Sequence, residues 1–199
     1  MNWANRITIL RILLVPLLIA VLHYFRLAGP EKAEIYRIAA IIIFIMGMLT
    51  DALDGFIARN FNQKSRLGTI LDPIADKLLL ISAVIILTFP GMAKTSMEFS
   101  FPYWYAVIVI TRDVLIIVGC LLLWMITGRV NIKPSISGKI TTFLQMSAVL
   151  WLLFILPRPL IPVYLATVFT VVSGVGYMLE GARKFVSAEE DAGKKKIKK

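Results

Sequence analysis

Asp51, Asp54, Asp72 and Asp76 fall within one short stretch of a chain that is 58% hydrophobic. Insertion scales charge about 2.5–3.5 kcal/mol for each Asp at the centre of a membrane helix. Four at that cost mark a functional site, and the chemistry open to them is cation ligation, proton transfer or both. At about 100° and 1.5 Å per residue of helix, Asp51, Asp54 and Ala58 share one stripe. Gly68, Asp72 and Asp76, spaced by four, share another. If the two helices are antiparallel and turn near Gln63, Asp51 is level with Asp76, Asp54 with Asp72, and Ala58 with Gly68.

Ionised carboxylates that close repel one another unless positive charge lies among them. A divalent metal supplies it. All-oxygen ligation selects Mg²⁺ or Mn²⁺ over zinc, for which the sequence has no Cys or His cluster. Four carboxylates suit two ions, an arrangement that clamps a phosphoryl group during displacement. Gly55, Ala58 and Gly68 leave room for a substrate, or else let the helices pack closely. Arg59, one residue beyond the stripe, suits a phosphate. A carboxylate-lined cation or proton pathway is the competing class.

The elements that must position these residues are membrane helices. The chain has 199 residues. Its six apolar runs, near 7–26, 34–60, 67–89, 102–127, 138–156 and 160–182, are each long enough to cross a hydrocarbon core about 30 Å thick. The expected fold is therefore an all-α integral membrane protein of six transmembrane helices with a polar cavity facing the cytosol. Residues 1–185 form the membrane domain, and 186–199 a charged cytosolic tail expected to be disordered. The first run is not read as a cleaved signal peptide, since Arg11 and Pro16 interrupt it and no small-residue cleavage site follows.

Lys and Arg concentrate on the cytosolic side of membrane proteins. With the N-terminus inside, that side collects Arg6, Arg11, Arg59, Lys64, Arg66, Arg129, Lys133, Lys139, Arg183, Lys184 and the lysines of the tail. The outer side keeps Arg26, Lys32, Arg37, Lys94 and Arg158. Both termini and the mouth of the Asp hairpin are thus expected in the cytosol. The net charge of +10 is spread over membrane-flanking loops, which argues for anionic lipid rather than nucleic acid as the partner. Tyr24, Tyr103 and Trp104 are expected at the outer interface, Trp3 and Trp124 at the inner one. Cys120, the sole cysteine, lies inside the fourth run and reads as packing.

The pattern Asp51-x2-Asp54-Gly55-x2-Ala58-Arg59-x8-Gly68-x3-Asp72-x3-Asp76 resembles the complete signature of the CDP-alcohol phosphotransferases. These are membrane enzymes that transfer a phosphatidyl or phospho-alcohol group from a CDP-linked donor. Six spans with both ends cytosolic is also that family's layout. The opening segment, Asn5-x2-Thr8-x2-Arg11-x4-Pro16, is similar to that of the family's bacterial phosphatidylglycerophosphate synthases, with Ala4 where Pro is common. Arg11 by itself reads equally as a side chain snorkelling to lipid phosphates.

The resemblance implies that Asp51, Asp54, Asp72 and Asp76 hold the metals, and that Asp76 also takes the proton from the acceptor hydroxyl. It implies CDP-diacylglycerol as donor, bound by Asn5, Thr8, Gly55, Ala58, Arg59, Ser65 and Gly68. It further implies a bacterial inner-membrane location and a homodimer. The acceptor depends on residues outside the signature. Arg112 and Asp113 lie within the fourth span, and consecutive helix residues point about 100° apart. Lys77 is the expected partner of Asp113, leaving Arg112 for an anionic acceptor. Gly138-Lys139-x2-Thr142-x2-Gln145 resembles the fifth-span start of phosphatidylglycerophosphate synthases, with Thr141 where Lys is common. Arg112, Lys133 and Lys139 are the candidate acceptor cations, and sn-glycerol 3-phosphate is the first choice. Phosphatidylglycerol is the runner-up, because Lys133-Pro134-Ser135 before Ser137-Gly138-Lys139, with Arg112-Asp113, also resembles the family's cardiolipin synthases. Inositol phosphate and serine stand behind these.

Overall fold

The computed structural model describes residues 3–60, 66–89, 100–127 and 136–197, with side chains described over 9–29, 31–50, 77–89, 100–119, 122, 125 and 136–183. Six helices occur in this order: α1 Trp3–Leu27, α2 Pro30–Asn60, α3 Arg66–Thr88, α4 Tyr103–Thr127, α5 Ile136–Leu153 and α6 Leu160–Ile197. Among the described residues there is no strand. Stretches of four helices, Ile9–Leu27, Glu31–Thr50, Ile136–Leu153 and Leu160–Arg183, are long and apolar enough to cross a bilayer. α3 carries a shorter apolar stretch, Lys77–Thr88. The protein is an integral membrane protein, and each of the six expected runs coincides with a helix.

Local chemistry explains the helix ends. α2 starts at Pro30, earlier than its apolar run. Proline lacks the N–H that an N-terminal turn leaves unbonded and has a φ suited to the first helical position, while the Gly29 carbonyl accepts from Lys32 and Ala33. α5 stops at Leu153, short of its apolar run, because the chain turns back on itself. Leu156 N–H donates to Trp151 O, and Ile155 N–H to Leu152 O, with Ile155 at φ 53°. This is the paired closure that orphan carbonyls at a helix end favour. α6 runs on to Ile197, so the backbone of the charged tail is helical where its composition suggested an irregular end. Ala, Glu and Lys, which recur there, are among the strongest helix formers.

The chain divides into two compact units, residues 1–106 with 146–159, and 107–145 with 160–199. In the first, α1 packs against α2 and α3. Its buried stripe, Arg11, Leu14, Leu18, Leu22 and Phe25, follows the 3–4 spacing of one helix face. Leu10, Leu13, Leu17 and Tyr24 point outward. At the far end of α1, buried Arg26 donates to the carbonyls of Ile86 and, at 2.8 Å, Phe89, satisfying acceptors that the end of α3 leaves open. Tyr24 stacks on Tyr36, ring centroids 5.7 Å apart, and Phe89 lies 5.4 Å from Tyr103, so aromatic rings gather at this end as expected of an interface.

In the second unit the buried face of α6 mixes apolar Val163 and Ala166 with polar residues, and its outer face is apolar. Thr170 and Ser173 are fully buried, while Val168, Val171, Val172, Val175, Met178 and Leu179 are exposed. A soluble helix carries polar residues on its outer face instead.

Candidate active site

The four aspartates fall on two consecutive helices. Asp51, Asp54, Gly55, Ala58 and Arg59 occupy the last turns of α2, and Gly68, Asp72 and Asp76 the first turns of α3. Their side chains lie outside the described residues, as do those of Asn5 and Thr8, whose positions are helical in α1. Ser65 and Lys133 lie outside the described residues altogether.

What is described just beyond the aspartates sets the register of the pair. Gly47 of α2 faces Leu79 of α3 so closely that a Cβ at Gly47 would lie 2.6 Å from Leu79 Cδ2. Thr50, a turn further on, bonds its own helix at the carbonyls of Met46 and Gly47. Seven residues on from Gly47 is Asp54, and seven back from Leu79 is Asp72. Eleven on is Ala58, and eleven back is Gly68. Helices of equal rise keep such pairs level.

Arg11 is fully buried. It therefore does not snorkel to lipid phosphates; its cationic head is held inside the protein, on the α1 face where the spacing puts Asn5 and Thr8.

The second group of candidates lies in the second unit. Arg112 is 7% exposed. Its Nη1 donates to Asp113 Oδ1 at 2.7 Å and its Nη2 to Ser173 Oγ of α6 at 2.8 Å. Arg112 is therefore not left over for an anion with its charge uncompensated, as the 100° between neighbours suggested. The angle separates the Cβ directions, but the long stem of an arginine carries its head back across them. The central guanidinium carbon also lies 5.5 Å from the centre of the Tyr177 ring, within cation–π range.

α4 continues past Arg112 for roughly 22 Å, at 1.5 Å per residue, before it ends at Thr127. Yet Gly138, in the first turn of α5, is the neighbour of the Arg112 head: a Cβ there would lie 3.4 Å from Nη2. Arg112 is thus level with the start of α5, next to the residue that precedes Lys139. Lys139 itself is exposed.

From this junction a polar seam runs between α5 and α6. Thr141 Oγ1 is within hydrogen-bond distance of Ser137 O at 2.8 Å and Phe169 O at 2.9 Å. Gln145 Nε2 donates to Thr170 Oγ1 at 2.9 Å, and Thr170 Oγ1 to Ala166 O at 2.6 Å. Thr141 and Gln145 are fully buried, and a lysine at 141 would bring a charge into that interface. Thr142 bonds back to Gly138 O of its own helix at 3.2 Å. Gly138, Thr141 and Gln145 are spaced for one helix face. Ser173 and Tyr177, by contrast, were not legible as site residues. Their sequence neighbourhood shows only small residues in an apolar helix, and nothing local says that Arg112 comes to meet them.

Comparison with known proteins fits this geometry. Residues 1–176 match the CDP-alcohol phosphatidyltransferase family, a span that takes in the Asp hairpin, Arg112, Lys139 and Ser173. A probable phosphatidylglycerophosphate synthase of Mycobacterium tuberculosis is 33% identical over 190 residues, covering 92% of this chain and 82% of that protein. The CDP-diacylglycerol–glycerol-3-phosphate 3-phosphatidyltransferase of Bacillus subtilis is 35% identical over 189 residues, 88% of this chain and 93% of its own. The Escherichia coli K12 enzyme of that name is 33% identical over 158 residues, 77% of each. With eight signature positions at fixed spacing in the sequence of α2 and α3 and a match over most of its length, this chain belongs to the CDP-alcohol phosphatidyltransferase family.

Proposed function

We propose that the protein transfers the phosphatidyl group of CDP-diacylglycerol to sn-glycerol 3-phosphate, giving phosphatidylglycerophosphate and CMP in phospholipid biosynthesis. The Gly47–Leu79 contact supports the site reading, because it falls on the antiparallel register expected from the sequence, in which Asp54 is level with Asp72 and Ala58 with Gly68. The relatives named as phosphatidylglycerophosphate synthases or as glycerol-3-phosphate phosphatidyltransferases support the choice of acceptor. In this reading all six helices span the membrane of a bacterial cell, both termini and the site face the cytosol, and the chain pairs as a homodimer.

Asp51, Asp54, Asp72 and Asp76 would hold divalent Mg²⁺ or Mn²⁺, for which a donor set of carboxylate oxygens is suited. Such ions, when bound, offset the charge of the diphosphate and of the phosphoryl group in displacement. Asp76 takes the proton from the acceptor hydroxyl. That oxygen forms a bond to the β-phosphorus of the donor, the one bearing diacylglycerol, while the bond from that phosphorus to the bridging oxygen breaks and CMP leaves with the electron pair. Asn5, Thr8, Gly55, Ala58, Arg59, Ser65 and Gly68 line the nucleotide side. Arg112, Lys133 and Lys139 receive the acceptor phosphate through charge-assisted hydrogen bonds.

The test is CMP release by purified protein given CDP-diacylglycerol, Mg²⁺ or Mn²⁺, and each acceptor in turn. Glycerol 3-phosphate is expected to support turnover. Cardiolipin formed from phosphatidylglycerol, with no product from glycerol 3-phosphate, would move the chain to another acceptor within the family. Ion flux across liposomes without CMP release would make it a transporter.

A further inference from the structure

How the Arg112 head is held has a consequence that rests on the acceptor assignment above. Three helices converge on it. Asp113 of α4 and Ser173 of α6 each accept from one terminal nitrogen, and the Tyr177 ring covers a face. Gly138 of α5 closes another side, where a Cβ would lie 2.9 Å from the Tyr177 hydroxyl and 3.4 Å from Arg112 Nη2. Gly174 lies against the stem, with room for a Cβ at 3.4 Å from Cγ. Arg112 Nε is buried and has no hydrogen-bond partner among the described residues.

A guanidinium tied through both terminal nitrogens and covered by a ring cannot swing, and a rigid fork loses little freedom when it receives an anion. A buried donor left without an acceptor costs free energy until one arrives. We propose that Tyr177, Ser173 and Gly138 are positioning residues that set the Arg112 guanidinium, and with it the α5 turn bearing Lys139, for the phosphate of the acceptor. Tyr177 stands one residue beyond the 1–176 stretch that matches the family.

The experiment measures KM for donor and acceptor separately, by CMP release from the purified full chain in mixed micelles. Gly138→Ala drives a methyl group against the Tyr177 hydroxyl. It should raise the acceptor KM about five- to tenfold while the donor KM stays within about twofold, the scale of losing one cation–π contact. Tyr177→Leu, which removes the ring, should act in the same direction. In Gly138→Ala/Tyr177→Phe the nearest atom is gone and the ring remains, so most of the acceptor KM should be recovered. Ser173→Ala, the smallest change, reads the same split if Gly138→Ala does not fold.

Equal shifts in both KM values, or no shift in the acceptor KM, overturn the positioning assignment and leave the function standing. If the wild type instead releases CMP with phosphatidylglycerol, the functional reading fails. The positioning role then falls only if the KM for that acceptor is also indifferent to these changes. No CMP release with any acceptor overturns both.

Discussion

At the scale of single residues, the expected donor site rests on spacing, and the structure adds how far the side chains around Arg112 reach. The aspartates were legible because a carboxylate in an apolar helix is costly and four at matched levels are explained by shared ligation. Accordingly Asp54→Asn and Asp72→Asn should each abolish CMP release while the protein keeps its helical circular dichroism. Excess chelator should do the same to the wild type, and undiminished turnover in chelator would remove the metal from the reading. The acceptor cations were legible as charges but not as partners. Arg112 pairs with its own neighbour Asp113, which residue directions alone argued against. Exposed Lys139 is the simplest test of charge. Lys139→Met should weaken the acceptor by about ten- to a hundredfold, the equivalent of one charge-assisted bond of roughly 1.5–3 kcal/mol. A raised KM for CDP-diacylglycerol with an unchanged one for glycerol 3-phosphate would show the roles reversed.

At the scale of elements, two backbone features have measurable consequences. Gly47 lets α2 and α3 approach, since any side chain there meets Leu79. Gly47→Val should therefore push the hairpin apart and lower turnover, and Leu79→Ala in the same chain should restore part of it by making room. No recovery in the double variant would mean that the contact does not set the spacing of the hairpin. The turn after α5 stores strain instead. Ile155 holds a left-handed backbone, φ 53°, at the position where helices favour glycine. A β-branched residue is disfavoured there by about 1–2 kcal/mol. Ile155→Gly should raise stability by about 1 kcal/mol after the greater backbone freedom of glycine in the unfolded chain is offset. Thermal unfolding in detergent measures it, and a lowered midpoint would show that exposed Ile155 contributes packing that outweighs the strain.

For the whole molecule, the distribution of charge predicts topology, and two of the cations expected on the outer side have partners within the first unit. Arg26 caps α3 carbonyls. Arg37 pairs with Glu34 and reaches Leu153 O at 3.4 Å. Single cysteines at Gln63 and at Ser96, in a Cys120→Ala background, should react with an impermeant thiol reagent from opposite faces of sealed vesicles. Labelling of both from one face would overturn the orientation.

By itself the sequence determined the class, the helices and the donor motif, because each is written in local or periodic terms. Apolar runs of bilayer length, cations at their ends and carboxylates at helical spacing do not depend on what lies opposite. Only the tertiary structure decided what meets across helices. Arg11 is legible as a charge at the membrane edge and is instead buried in the core. Thr141 reads as a departure from a lysine and is a buried link from α5 to α6. Ser173 and Tyr177 carry no signal of their own, and they meet Arg112 because α4, α5 and α6 bring Arg112, Gly138 and these two residues to one point. In lipid, where apolar surface is no guide to the interior, such polar contacts are what distinguish one packing from another.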